Sequence, residues 1–127
     1  MILAIDPGKY KCGLAILGFD KTIFEKQIIK RTAIITATLA YFNKYQILTV
    51  VVGDSSNGRS LAKEFAKQNI SVALIDEKNS TLEARELYWQ ESPPKGLWKL
   101  LPQSLRIPPR PVDDYAAVIL AQRYLSK

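Results

Sequence analysis

With 127 residues, 47% of them apolar, the chain is long enough for one domain with its own hydrophobic core. It carries 18 Lys and Arg against 12 Asp and Glu, a formal charge of +6 that favours polyanionic partners, and no histidine to serve as base or metal ligand. Its single cysteine, Cys12, excludes an internal disulfide framework, and no apolar run approaches the length of a membrane span.

Residues 1–5, Met-Ile-Leu-Ala-Ile, are apolar without alternation, the pattern of a strand buried on both faces at the centre of a sheet. The run ends in Asp6, at the rim of the core, where an unpaired charge is costly. A cation, a basic partner or a metal has to balance it; alternatively, Asp6 accepts bonds from its own Asp-Pro-Gly turn. Pro7-Gly8 breaks the strand, and a second apolar run returns over residues 12–17. After a turn at Gly18-Phe19-Asp20, residues 22–29 read as a more polar third strand, completing an antiparallel meander. Thr32 is expected to cap a helix running to about Tyr45, with Ile35, Leu39 and Phe42 stacked on its apolar face.

Residues 47–53 form another near-continuous apolar strand, followed by a turn at 54–58 and a helix over 60–68 that buries Leu61 and Phe65. A fifth strand, residues 70–75, ends in Asp76-Glu77. Ser80-Thr81-Leu82-Glu83 has the form of a capping box and opens a helix through about Gln90, with Trp89 in its packing face. The Pro-rich stretch at about 91–111 excludes a regular element apart from a short helical turn at 97–101. Residues 112–115 then lead into a strongly apolar helix over 116–124. These elements predict an α/β fold: a five-stranded mixed sheet, three antiparallel strands then two parallel, joined by right-handed crossovers and flanked by helices.

In such a sheet, ligands bind outside the carboxyl ends of the parallel strands. Those ends carry Asp6, Asp54 and Asp76-Glu77, and the last helix adds Asp113 and Asp114 at its start. Carboxylates crowded on one rim raise each other's pKa values unless a divalent cation neutralises them. An all-oxygen ligand set suits Mg²⁺ or Mn²⁺ rather than zinc. Two such ions about 3.5–4 Å apart serve phosphodiester hydrolysis. Singly, each acid has an ordinary role: Asp113 and Asp114 favour a helix amino terminus, Asp76 and Glu77 end a strand in solvent, and Glu83 belongs to a cap.

Three stretches carry a family resemblance. Ile5-Asp6-Pro7-Gly8 followed by Gly13-Leu14-Ala15 resembles the opening motif of RuvC-like nucleases. The segment from Asp76-Glu77-Lys78 to Ser80-Thr81-Leu82-Glu83-Ala84-Arg85 is similar to the Asp-Glu-Arg-x-Ser/Thr-Thr-x-Glu-Ala segment of the YqgF/RuvX family. Val112-Asp113-Asp114-Tyr115-Ala116-Ala117 resembles that family's closing motif. In this order the three span essentially the whole domain, and they identify the chain as a divergent member: it lacks the family's Gly-Leu-Pro turn after the fourth strand and has Lys78 where Arg is usual. The resemblance implies an RNase H-like fold and a metal-dependent nuclease. Members are described as Holliday junction resolvases and as nucleases maturing the 5′ end of 16S ribosomal RNA. By motif the acidic triad falls on Asp6, Glu77 and Asp113, holding Mg²⁺ or Mn²⁺ as two ions, with Asp114 as a neighbouring candidate ligand.

Contacts to nucleic acid, as structured RNA or branched DNA, are expected from cations and aromatics around the rim. The candidates are Lys9, Tyr10 and Lys11 in the first turn, Arg59, Lys78, and Lys95, Trp98, Lys99, Arg106 and Arg110 of the Pro-rich stretch. Trp98 equally suits an anchor of that stretch onto the core. Two other readings stand beside the nuclease. One is a nucleic-acid-binding module that keeps the fold without cleaving; the other is a phosphate-binding fold of the actin and sugar-kinase type, which needs two such domains. A chain that begins with a short apolar run and no basic lead is expected to be soluble, cytoplasmic and without a membrane partner, as a monomer or a homodimer.

Overall fold

The computed structural model describes residues 1–93, 96–102 and 107–127, with the backbone alone for 97 and 98. Five strands, β1 (Ile2–Asp6), β2 (Lys11–Leu17), β3 (Ile23–Lys30), β4 (Thr49–Gly53) and β5 (Val72–Ile75), form one sheet in the order β3-β2-β1-β4-β5. β1 pairs antiparallel with β2 and parallel with β4; β2–β3 is antiparallel and β4–β5 parallel. The mixed α/β sheet expected from the sequence is therefore present.

Four helices cover it: α1 (Ile34–Lys44), α2 (Ser56–Ala66), α3 (Ser80–Glu91) and α4 (Asp113–Leu125). Successive residues of a strand face opposite sides of the sheet, and here both sides are buried. Ile2 and Ala4 join Ala15, Leu17 and Val51 beneath Ala117, Leu120 and Ala121 of α4. Leu3 and Ile5 join Leu14, Ile16, Val50 and Val52 beneath Ile34 of α1 and Leu61 and Phe65 of α2. This is the physical basis of the unbroken apolar run: a central strand of a three-layer domain has no wet face. Cys12 is fully buried in the second layer, and burial pushes its thiol pKa up, as befits a core residue. Among the described residues no helix is long and apolar enough to cross a membrane.

Several local expectations are corrected. Thr32 caps nothing; residues 31–33 form a 3-10 turn, and α1 begins after Ala33 without a side-chain cap. Of the face expected on α1, Ile35 and Phe42 do pack against the core, but Leu39 is exposed and the fully buried positions are Ile34 and Thr38. Thr38 is tolerated there because its hydroxyl donates to the Ile34 carbonyl at 2.8 Å. α2 starts at Ser56, four residues before the predicted start, because Ser55 accepts from the Gly58 amide at 3.1 Å and so is the N-cap. The capping box at Ser80 does not form. Asn79, in the left-handed conformation, is the N-cap, Ser80 is buried, and the Glu83 carboxylate goes to Arg123 instead. α4 starts three residues earlier than predicted, at Asp113. The expected helical turn in the Pro-rich stretch is a 3-10 turn, Gly96–Leu100.

Candidate active site

Strand parity determines where Asp6 points. It follows Ile2 and Ala4 on the α4 side of the sheet, one step beyond the end of the buried run. On β2 its register partner is Gly13, and on β4 Gly53 follows Val52, the partner of Ile5. Both neighbours of the carboxylate are thus glycines, and both positions are occupied from above. A Cβ built on Gly13 lies 1.7 Å from the carbonyl oxygen of Asp113, so the start of α4 rests directly on the β2 backbone. A Cβ built on Gly53 lies 2.5–2.6 Å from the Glu77 side chain, so Glu77 of the β5–α3 loop lies over the end of β4. Two missing side chains let Asp113 and Glu77 close in on either side of Asp6.

The electrostatics agree with that placement. The Asp6 pKa is raised from 3.8 to about 8, first by burial, then by a hydrogen bond and charge repulsion from Glu77, then by repulsion from Asp113. At neutral pH Asp6 is therefore largely protonated and hydrogen-bonded to Glu77. Asp113 Oδ2 is buried and accepts no hydrogen bond among the described residues. Lys11 Nζ stands 3.5 Å from it, an ion pair without hydrogen-bond geometry. Among the described residues no three carboxylate or thiol groups stand at the spacing of a formed metal site; the proton on Asp6 and Lys11 beside Asp113 offset the charge of the cluster. The donor set nevertheless fits a hard divalent cation: every donor is a carboxylate oxygen, repulsion from Glu77 and Asp113 that a cation would relieve raises the Asp6 pKa, and one buried oxygen lacks a hydrogen bond.

A cleft of about 280 Å³ opens beside the cluster, lined by Asp6, Pro7, Gly8, Lys9, Tyr10, Lys11 and Asp113. Lys9 lies over the Tyr10 ring, its Nζ 5.4 Å from the centroid, and Tyr10 is 77% exposed. A second cleft, of about 190 Å³, includes Asp113 together with Thr81, Arg85 and Arg110.

The remaining candidates are elsewhere or otherwise engaged. Asp114 is 4% exposed, and its two oxygens accept from Arg110 at 3.1 and 3.2 Å, with Lys26 Nζ 4.0 Å away. Arg110 in turn lies against the rings of Tyr88 and Tyr115 at 5.5 and 5.3 Å. Neither residue was expected to serve the other, since Asp114 reads as a metal ligand or helix-start charge and Arg110 as a phosphate contact. Arg59 pairs with Asp54 at 2.8 Å, Lys78 and Lys99 are exposed, and the Lys78 amide closes a turn on Asp76 Oδ1. Lys95, Arg106 and the Trp98 side chain lie outside the described residues. Trp89 is buried edge-on against Tyr88, as packing requires.

Sequence reasoning missed Arg123, which reaches the loop carrying Glu77, and the Lys26–Tyr115 contact at 4.6 Å that ties α4 to β3. Their only signal in sequence is charge near a helix end or on an edge strand, which does not name a partner. No protein-family model and no curated protein matches this chain.

Proposed function

We propose that the chain is a metal-dependent nuclease of RNase H-like fold, related to the YqgF/RuvX family, that hydrolyses phosphodiester bonds of structured RNA or branched DNA. The observation that carries this reading is the convergence of Asp6, Glu77 and Asp113 at the carboxyl end of β1, with the Asp6 pKa raised to about 8. Three acids with little apolar contact to offer and mutual repulsion do not stabilise a fold, so their gathering is best explained by a cation that they bind.

Asp6, Glu77 and Asp113 would hold Mg²⁺ or Mn²⁺, whose Lewis acidity would serve an attacking water and the phosphate charge. Asp114 is excluded from the ligand set in this reading because Arg110 occupies both of its oxygens. Loading requires Asp6 to give up its proton, so binding strengthens as pH rises toward 8. Lys11 beside Asp113, Lys9 and the exposed ring of Tyr10 line the cleft where a strand's phosphates and an unpaired base would lie. Lys78 and Lys99, both exposed, are further candidate phosphate contacts.

The alternative is a nucleic-acid-binding module that keeps the fold without cleaving. That reading needs only the cations and the exposed Tyr10 ring at the cleft. Cleavage of labelled RNA hairpins and four-way DNA junctions, with Mg²⁺ or Mn²⁺ and with EDTA, separates the two. The nuclease reading expects cation-dependent cleavage that Asp6→Asn abolishes; binding without cleavage by the wild type gives the alternative the lead.

A further inference from the structure

Glu77 sits in a short loop between β5 and α3, exposed on both flanks at Asp76 and Lys78, and a carboxylate on such a segment needs something to hold it. The loop's own backbone is closed by a turn at Lys78 and by the Ser80 amide bonding the Glu77 carbonyl, with the Asp54 amide on the Ile75 carbonyl before it and the Glu83 amide on the Asn79 carbonyl after it. One side chain from the far end of the chain brackets it. Arg123 Nη1 donates to the Asp76 carbonyl at 2.7 Å, and Nη2 donates to the Lys78 carbonyl at 2.6 Å. The same Nη2 pairs with the Glu83 carboxylate on α3. The guanidinium is thus bonded to the residues immediately before and after Glu77, and α3 holds it in that position.

We infer that Arg123 is a positioning residue for Glu77: it ties the β5–α3 loop to α4, the helix whose first residue is Asp113. One rigid helix then sets both flanking acids relative to Asp6, Asp113 through its own backbone on Gly13 and Glu77 through Arg123. The planar fork matters. Two diverging donors reach two carbonyls on either side of one residue, a geometry that a lysine ammonium does not reproduce while also pairing with Glu83. This role rests on the reading of Asp6, Glu77 and Asp113 as cation ligands, and outer groups that orient ligands typically change metal affinity by about 10–100-fold when lost.

The test compares wild type with Arg123→Gln and Arg123→Lys, and with Lys44→Gln as a control that removes an ion pair to Glu25 on another part of the domain. Amide hydrogen exchange is followed at Lys78 and Ser80 in the metal-free proteins, and Mn²⁺ binding by electron paramagnetic resonance. Both Arg123 variants are expected to exchange faster at these two amides and to bind Mn²⁺ roughly tenfold more weakly or worse. Lys44→Gln should change neither. A residue that merely fastens α4 to α3 through Glu83 predicts that Arg123→Lys behaves like wild type, and that result overturns the inference. So does unchanged exchange in Arg123→Gln, or faster exchange with unaltered Mn²⁺ affinity. If wild type itself binds no Mn²⁺, the ligand reading of the three acids fails. Exchange in Arg123→Lys then decides alone whether the fork holds the loop.

Discussion

Replacing Asp6 with Asn tests the charge argument without any assay of activity. In the metal-free protein the Asp6 pKa rises from 3.8 to about 8. The folded state therefore holds a proton that the unfolded chain has lost at every pH between about 4 and 8. Stability must fall as pH rises through that window. At about 1.4 kcal/mol per pH unit the full effect approaches 6 kcal/mol. Asp6 is coupled to the neighbouring carboxylates, and water enters as the site relaxes, so roughly 2–3 kcal/mol is expected in measured stability. Asparagine is nearly isosteric, still donates to Glu77, and does not titrate. Thermal melts in EDTA should therefore show the two proteins within a degree or two near pH 4. Asp6→Asn should be more stable by about 10 °C at pH 8–9, using the several degrees per kcal/mol typical of this size. Saturating Mn²⁺ should stabilise wild type and shrink the gap. A gap that does not vary with pH, or an Asp6→Asn protein less stable at pH 8, would refute the crowding of charge at this rim.

Gly13→Ala places a methyl 1.7 Å from the Asp113 carbonyl, so α4 has to lift; a loss of about 3 kcal/mol is expected in urea unfolding, and a loss under 1 kcal/mol would mean the helix start is not seated on β2. Arg110→Met removes the bidentate partner of a nearly buried Asp114 and should cost about 3 kcal/mol, with Lys26 compensating in part; unchanged stability would return Arg110 to the solvent-facing, phosphate-contacting role. Reversing Lys9 and Lys11 to Glu together should weaken nucleic-acid binding more than tenfold and flatten the salt dependence of log K by about two, one for each phosphate contact; equal slopes in a filter-binding titration would place the contact face elsewhere.

The legible part of this protein is the part in which chemistry repeats along the chain. Residues 1–5 and 12–17 and the other apolar runs announced a sheet buried on both faces, and their alternation with helical patterns announced two parallel strands beside a meander. Asp6, at the end of the most buried run, stood out because a charge there is expensive whatever the fold. Local capping was read less well: the hydroxyls of Thr32 and Ser80 satisfy sequence patterns that Ala33 and Asn79 supersede in the fold. There the helix start is set by how the segment enters from the preceding strand or loop.

Which acid belongs with which was decided only in three dimensions. Asp113 and Asp114 are adjacent in sequence and identical in composition, yet successive helical residues diverge by about 100°. One therefore lies against Gly13 beside Asp6, and the other lies under Arg110. Arg110 read as a phosphate contact although its partner Asp114 is only four residues on, and Arg123 drew no reading, since its carbonyl partner lies 47 residues away and a long cation carries no mark of it. Sequence by itself determined the layers, the strand order's parallel and antiparallel halves and the cost of a charge at position 6. Tertiary structure decided the neighbours of that charge, because contacts over 70 to 110 residues of separation depend on strand register and helix seating, and neither is written locally.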